Sequence, residues 1–199
     1  MDSRTKILNA ASALFLEGGV SSLSVRAISK RAGLSTIGIY SHFQGKQGIL
    51  DALYIDGFNL VRDAMDVVLD GQATRENVLK SAAGYLRVGK EHEAHYRLIF
   101  GESGSGYEPS EDAVQARDRA FGKLVRVAGS FLPSTANVNQ HRQLAMDIWA
   151  IVHGYVSISH HAAFSDADSW DWQTAALNTV GVQLDSVLTA THGVIKPVV

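Results

Sequence analysis

The 199-residue chain contains no cysteine, which excludes a disulfide framework, thiolate catalysis and every zinc site built on cysteine. Only three prolines occur, and this scarcity leaves room for long uninterrupted helices. No run of 18 consecutive apolar residues is present, so we expect neither a membrane-spanning helix nor a membrane partner. The polar N-terminus leads into an amphipathic stretch instead of a signal peptide, and a cytoplasmic protein is the default expectation.

Apolar residues make up 46% of the chain, enough for a sizeable core. They recur at intervals of three and four, which is the spacing of amphipathic helices, and no segment alternates as a strand does. The pattern predicts an all-α fold of about nine helices, at residues 4–17, 25–32, 36–43, 46–69, 74–91, 92–100, 110–131, 139–164 and 170–191. Between two of these helices, the glycine-rich residues 101–109 predict a loop. This loop could act as a flap over the entrance to a ligand site or could have no functional role.

Positive charge is concentrated near the N-terminus. Residues 1–46 hold six lysines and arginines against two acids, a local net charge of +4, whereas the remaining residues carry 12 against 18. A basic face attracts phosphates, and an acidic body discourages nucleic acid from wrapping over the whole surface. The asymmetry indicates a small basic module joined to an acidic body, with ordinary scatter of solvated charges as the alternative.

Residues 24–46, SVRAISKRAGLSTIGIYSHFQGK, predict two short helices joined by a tight turn. Ser24 and Ser35 stand where each helix needs an N-cap, and Gly33 adopts a positive φ at little cost. Apolar residues of both helices can pack together and leave the polar side of the second helix facing outward. Such a helix-turn-helix presents the start of its second helix to the major groove of DNA.

The outward side chains of this unit have the chemistry of a DNA-reading surface. Hydroxyl groups hydrogen-bond base edges or phosphates, an aliphatic side chain can contact a thymine methyl, and glycine permits close backbone approach. Arginine, tyrosine, histidine and lysine can bind phosphates. A helical hairpin that only completes a core is the alternative. We predict DNA contacts from Arg26, Ser35, Thr36, Ile37, Gly38, Tyr40, His42 and Lys46.

One extended pattern runs through about residues 4–55 and is highly specific as a whole. It resembles the DNA-binding domain of the TetR (tetracycline repressor) family of bacterial regulators. The resemblance implies DNA contacts at the positions predicted above, Ser35 excepted. Its matching elements are Ala10-Ala11, Leu14-Phe15, Gly18-Gly19, Ala32-Gly33-Leu34-Ser35, Ile39-Tyr40-Ser41-His42-Phe43, Lys46 and Ile49-Leu50.

Two features depart from the family pattern. Gly45 stands where the family often has a side-chain helix cap, and Gln47-Gly48 replaces the more usual acidic residue and alanine. We expect these changes to weaken the start of the next helix by about 1 kcal/mol. Thr36, Ile37 and Gly38 vary within the family, so they do not reveal the operator sequence.

The resemblance divides the chain into a DNA-binding domain, residues 1–46, and an effector-binding and dimerisation domain, residues 47–199. Within the second domain, Trp149 with His153-Gly154 resembles a subtype that carries a Trp-x-x-x-His-Gly signature. Aromatic and histidine side chains with polar tips could orient a mostly apolar effector, although each could be plain core. The candidates to line an effector cavity are Tyr85, Tyr96, Phe100, Phe121, Trp149 and His153.

Between Leu144 and Ile158 the predicted helix has few polar residues, so we expect burial on more than one side. With the last helix it could build the two-fold four-helix interface that the family generally uses. Both helices could instead complete the core of a monomer. The predicted interface residues are Gly154, Ile158, Leu177, Val180, Leu184 and Val187.

The resemblance implies a transcriptional regulator, in the family's usual mode a repressor, that binds a palindromic operator as a homodimer and is released by a small-molecule effector. A DNA-binding regulator or activator without a ligand, acting through protein partners, is the alternative. No catalytic dyad stands out, and we expect neither an enzyme nor a cofactor. His92 and His95 could share a metal ion, but no clear third ligand is near, and a solvated surface is the favoured reading.

Overall fold

The computed structural model describes residues 1–67, 71–100, 107–161 and 171–192. Over these ranges the chain forms nine α-helices and one short 3-10 turn, Val20–Ser22, and no strand. The predicted all-α fold is thereby confirmed for the described part of the chain. The helices are α1 (Ser3–Gly18), α2 (Val25–Ala32), α3 (Thr36–Phe43), α4 (Lys46–Ala64), α5 (Arg75–Glu91), α6 (Glu93–Phe100), α7 (Glu111–Gly129), α8 (Val138–Ser159) and α9 (Trp172–His192).

The chain divides into two compact units. The first contains Met1–Val61 and Glu91–Ala120, and the second contains Arg62–Lys90 and Phe121–Val199. The division after Lys46 into a DNA-binding and an effector domain is one of roles, and it stays a prediction. None of the described helices is long and apolar enough to cross a membrane.

In the first unit, α1 packs against α2, α3 and α6. Its fully buried Ile7 and Phe15 form a core with Ile28 of α2 and Ile39 of α3. At the surface, both guanidinium nitrogens of Arg31 bind the Glu17 carboxylate, at 2.9 and 2.8 Å, and this bidentate pair links α2 to α1. Apolar packing therefore holds the three N-terminal helices together, and the bidentate ion pair adds a link between α1 and α2.

In the second unit, α8 packs along α9. Val156 of α8 lies close to Gly89 of α5: a β-carbon at Gly89 would stand 2.8 Å from Val156 Cγ2. Arg75 at the start of α5 forms a bidentate pair with Asp185 of α9, at 2.8 and 3.2 Å. Gly89 thus lets α5 and α8 approach closely, and the ion pair links the start of α5 to the middle of α9.

Two helices end earlier than the apolar spacing predicts. α4 stops at Ala64 although the pattern extends to residue 69, yet Met65 just beyond the helix is still buried. α8 ends at Ser159 and not at residue 164, and just beyond this end His160 Nε2 lies 3.0 Å from the carbonyl oxygen of Gly89. Residues 69 and 164 themselves lie outside the described ranges.

The corner between α3 and α4 depends on unusual backbone geometry. Gln44 and Gly45 have φ angles of 57° and 115°, in the left-handed region that favours glycine. A β-carbon at Gly48 would overlap the carbonyl oxygen of Phe43 and lie 2.9 Å from its carbonyl carbon. Gly48 is therefore required for the tight corner, and the expectation that it only weakens α4 misses this steric role.

We expect Gly48→Ala to lower the free energy of unfolding by about 1–3 kcal/mol, because the new methyl group meets backbone atoms that cannot rotate away. The matched control is Gly122→Ala in α7, where the nearest atom to a β-carbon is Arg126 Nη1 at 3.9 Å. This control should stabilise the protein by about 0.5–1 kcal/mol. Urea unfolding of both variants checks the pair, and equal effects would contradict the role of the corner.

Candidate nucleic-acid interface

The helix-turn-helix forms as the sequence predicts. Ser24 Oγ accepts a hydrogen bond from the Ala27 amide at 3.1 Å, and Ser35 Oγ accepts one from the Gly38 amide at 3.2 Å. Gly33 ends α2 in the left-handed conformation with φ 67° and ψ 34°. The side-chain caps and the glycine together fix where α3 begins, which is the end that a helix-turn-helix presents to DNA.

Six of the eight residues predicted to contact DNA are exposed, on α3 and the adjoining helix ends. Ile37 is 78% exposed and Tyr40 is 56% exposed, unusual values for large apolar and aromatic side chains in a compact domain. The Tyr40 ring also lies over Gly45, 3.4 Å from where a β-carbon would stand. Arg26, Ser35, Thr36 and His42 are exposed as well, and Gly38 is half-buried.

The positive charge of the N-terminal module is not cancelled within it. Its two acids are engaged, because Asp2 caps α1 by accepting from the Thr5 amide and Glu17 pairs with Arg31. Among the residues that the structure describes, neither Arg26 nor Lys30 forms an ion pair with a carboxylate. α2, which packs against α3, therefore carries two exposed cations that no described carboxylate pairs with, a combination that favours polyanions.

Lys46 has a structural contact that the sequence does not reveal. Its Nζ atom donates a hydrogen bond to the carbonyl oxygen of Val20, 2.9 Å away, and the residue is half-buried at the start of α4. A lysine ammonium has three donors, so this bond leaves two for other acceptors. Lys46 thus ties α4 to the turn after α1, and its contact with a phosphate stays a prediction.

The predicted effector residues separate into two groups. Tyr96 and Phe100 lie in the first unit, where the Phe100 ring contacts those of Tyr96 and Phe58, with centroids 4.9 and 5.7 Å away. The other four residues meet in the second unit around Trp149, whose ring centroid lies 6.4 Å from that of Phe121 and 5.8 Å from that of His153. Trp149 also donates to the Tyr85 hydroxyl at 3.0 Å.

A small cavity of about 20 Å³ adjoins Tyr85 and Trp149. That volume accommodates about one water molecule, so a larger guest requires side chains to move. Among the described residues, those that line the cavity carry no charge; they are Met65, Val78, Ser81, Ala82, Tyr85, Leu124, Val127, Ala128, Ile148, Trp149 and Val152.

Two family profiles match the sequence. Residues 7–53 match bacterial regulatory proteins of the tetR family. Residues 78–177 match the tetracyclin repressor-like C-terminal domain, and this match alone covers half of the chain. The chain belongs to the TetR family. The subtype with a Trp-x-x-x-His-Gly signature stays a prediction, because the matched description does not specify it.

Two HTH-type transcriptional regulators resemble the chain distantly. The HTH-type transcriptional regulator Rv1816 of Mycobacterium tuberculosis is 24% identical over 134 residues, 66% of this chain and 55% of that protein. The HTH-type transcriptional repressor KstR2 of Rhodococcus jostii is 30% identical over 95 residues, 46% of each. The chain therefore spans about half the length of the curated relatives that it matches.

The fold is shared with solved structures over nearly the whole chain. The transcriptional regulator FadR of Bacillus subtilis, solved in complex with stearoyl-CoA, superimposes with a TM-score of 0.69 at 17% sequence identity. The alignment covers 92% of this chain and 98% of FadR. At that identity the likeness concerns the TetR fold alone.

The predicted dimer residues of this TetR-family chain lie on α8 and α9 but differ in exposure. Val180 and Leu184 have no exposed surface on the single chain, so their side chains build its own core. Ile158 is 45% exposed, and Leu177 and Val187 are half-buried. Apart from the local backbone of α8 and the residues next to Gly154, no atom of the described residues lies within 4 Å of the position that a β-carbon at Gly154 would take. Val182 of α9, which is not among the predicted interface residues, is 69% exposed.

Burial lowers the pKa of His153 below its usual 6.5. The Tyr85 hydroxyl, which accepts from Trp149, lies 3.4 Å from His153 Nδ1. The hydroxyl can donate to Nδ1 when the imidazole is neutral and carries its proton on Nε2. The TetR-type body thus holds an uncharged histidine beside the cavity.

This pKa shift predicts a pH dependence of stability. The unfolded state binds a proton at His153 more readily than the folded state. The contribution of the neutral His153 side chain to the free energy of unfolding is therefore fully present above about pH 6.5 and is lost as the pH falls below that value. We therefore expect the stability difference between the parent chain and His153→Gln to shrink from pH 7.5 to pH 5.5, as measured by urea unfolding. Between pH 7.5 and 8.5 the difference should stay constant; an unchanged difference at pH 5.5 would contradict the assignment.

Proposed function

We propose that this TetR-family chain is a transcriptional repressor that binds a palindromic operator as a homodimer and is released by a small-molecule effector. One observation carries the proposal: the exposed residues of α3 adjoin a helix, α2, whose exposed Arg26 and Lys30 are not neutralised by any carboxylate among the described residues. Repression is the family's usual mode. The fold class, the exposed reading helix and the uncancelled charge all support DNA as the partner.

At the DNA, α3 enters the major groove with its first turn toward the base edges. Thr36 and Ile37 are exposed at that turn and discriminate bases by a hydroxyl and a methyl contact. Tyr40 and His42 follow about one and one and a half turns later and bind phosphates, with Lys46 at the start of α4. Two copies place their reading helices about 34 Å apart in successive major grooves.

The homodimer forms through α8 and α9. Large apolar side chains on these helices are exposed on the single chain, among them Met146, Ile158, Val182 and Leu188. Exposed apolar side chains of this size mark a surface that a partner covers. Gly154 lies open on the same helix pair, and a glycine there lets a second copy approach closely.

The effector binds beside Tyr85 and Trp149. It is predominantly apolar, because the described residues that line this cavity carry no charged side chain. Met65, the first residue after α4, belongs to the cavity wall, while the other end of α4 directly follows the reading helix. Enlarging the cavity therefore displaces α4 and changes the spacing of the two α3 helices. A coupling of about 1–3 kcal/mol lowers the DNA affinity 5- to 150-fold.

The size of the cavity favours a second candidate function. Since about 20 Å³ holds only a water molecule, a regulator that binds no ligand and acts through protein partners would have this same closed interior. The two candidates differ in whether any small molecule raises the melting temperature of the chain and weakens its DNA complex. An effector must do both.

The proposal predicts different losses for a base contact and a phosphate contact. Thr36→Ala should alter the motif enriched from a random duplex library but change affinity for random duplex by less than about twofold. Tyr40→Phe removes a phosphate contact, so it should leave the motif unchanged and weaken binding to every duplex several-fold. Identical motifs for Thr36→Ala and the parent chain would overturn the base-reading role, and unchanged affinity of Tyr40→Phe would overturn its phosphate role.

A charge at the proposed subunit interface should separate the subunits. Gly154→Glu places a carboxylate where two helices approach, and leaving that charge unpaired in an interface is costly. We expect a monomer at micromolar concentration by analytical ultracentrifugation, with a folded helical spectrum. Gly122→Glu on α7 is the control and should remain a dimer. A Gly154→Glu chain that dimerises as the parent does would refute this interface.

A further inference from the structure

Asp51 connects α4 to the segment that begins α7. Its Oδ1 atom accepts a hydrogen bond from the Tyr107 hydroxyl at 2.8 Å and another from the Ser110 amide at 3.0 Å. Ser110 in turn caps α7, since its Oγ atom accepts from the Ala113 amide at 3.3 Å. A single carboxylate oxygen on α4 thus orients a tyrosine and the cap of another helix, all within the first unit.

A second contact strengthens this connection one turn earlier. Gln47 Nε2 donates to the carbonyl oxygen of Glu108 at 2.7 Å, and it lies 3.4 Å from Asp51 Oδ2. On the other side of the same turn, Lys46 donates to Val20. The first turn of α4 is therefore held between the turn that follows α1 and residues 107–110.

Tyr107 is suited to a lasting contact of this kind. It is only 6% exposed, and its ring centroid lies 5.7 Å from that of Tyr54 on α4. Burial raises the pKa of Tyr107, and the hydrogen bond to the Asp51 carboxylate raises it further. The hydroxyl therefore remains a donor at every pH at which the protein functions, and a bond to a carboxylate is stronger than one between neutral groups.

We propose that Asp51 and Tyr107 are positioning residues for DNA binding, which fix the first turn of α4 and with it the orientation of α3. This inference rests on the proposed function. Neither residue is among those predicted to contact DNA. Both act through the α3–α4 corner, where Gly48 packs closely against the Phe43 carbonyl group. A fixed orientation matters when two reading helices must meet two half-sites at once, because a misoriented helix loses the simultaneous contact.

The test compares two duplexes, the palindrome enriched from a random library and a single half-site in otherwise random sequence. Tyr107→Phe keeps the buried ring and removes only the hydroxyl. We expect its affinity for the palindrome to fall about tenfold, with less than about twofold change on the single half-site. Hydrogen exchange of the free protein should accelerate at the amides of residues 46–51 and stay unchanged in α9.

Matched variants separate positioning from general destabilisation. Asp51→Ala should lose at least as much palindrome affinity as Tyr107→Phe, because it also removes the bond from the Ser110 amide. The double variant should lose no more than Asp51→Ala alone, because Asp51→Ala already removes the bond to Tyr107. Asp63→Ala, which removes an exposed carboxylate from the same helix, is the control. Its palindrome affinity should stay within about twofold of the parent value, as expected for an exposed pair.

The outcomes distinguish this inference from the proposed function. A parent chain that enriches no palindrome overturns the proposed function and the inference with it. If the parent binds the palindrome and Tyr107→Phe binds it equally well, only the inference fails. Equal losses on both duplexes, with a lower melting temperature, would assign the pair to the core and would also overturn the positioning role.

Discussion

The close approach of Gly48 to the Phe43 carbonyl is the constraint on which the reading helix depends. It allows α4 to start only three residues after α3, with Gln44 and Gly45 at positive φ. Any β-carbon at position 48 would force the two helices apart. Because the corner has almost no freedom, the orientation of α3 follows the first turn of α4. The contacts that hold the first turn of α4 therefore determine the orientation in which α3 is presented to DNA.

Charge and packing are arranged around this corner in a consistent way. Glu17 is occupied by Arg31, so the cations beside α3 keep their attraction for phosphates. The first turn of α4 is held by Lys46 on one side and by Gln47 and Asp51 on the other. In the body, the cavity wall contains no charge and includes Met65 directly after α4. In the proposed function, α4 therefore follows the DNA-reading helix at one end and precedes Met65 of the proposed effector cavity at the other.

Local signals explain why much of this could be predicted from the sequence. The serine caps and Gly33 determine the helix-turn-helix within a few residues, and exposure along α3 follows from its apolar periodicity. Contacts between distant segments carry no such signal. Nothing near Asp51 indicates a bond to Tyr107, 56 residues later, and Val180 and Leu184 share the apolar spacing of an interface although they are buried in one chain. Apolar periodicity reports burial without saying whether the same chain or a second copy provides it.

The most direct test of the central claim is hydrogen exchange of the chain with and without its enriched duplex. The account predicts slower exchange over residues 35–46 when the duplex is present at low salt, and a return to the free rates at high salt, because phosphate contacts release counterions. Exchange in α5 should not change. Protection confined to other helices, or none over residues 35–46 at saturating duplex, would contradict the assignment of this face to DNA.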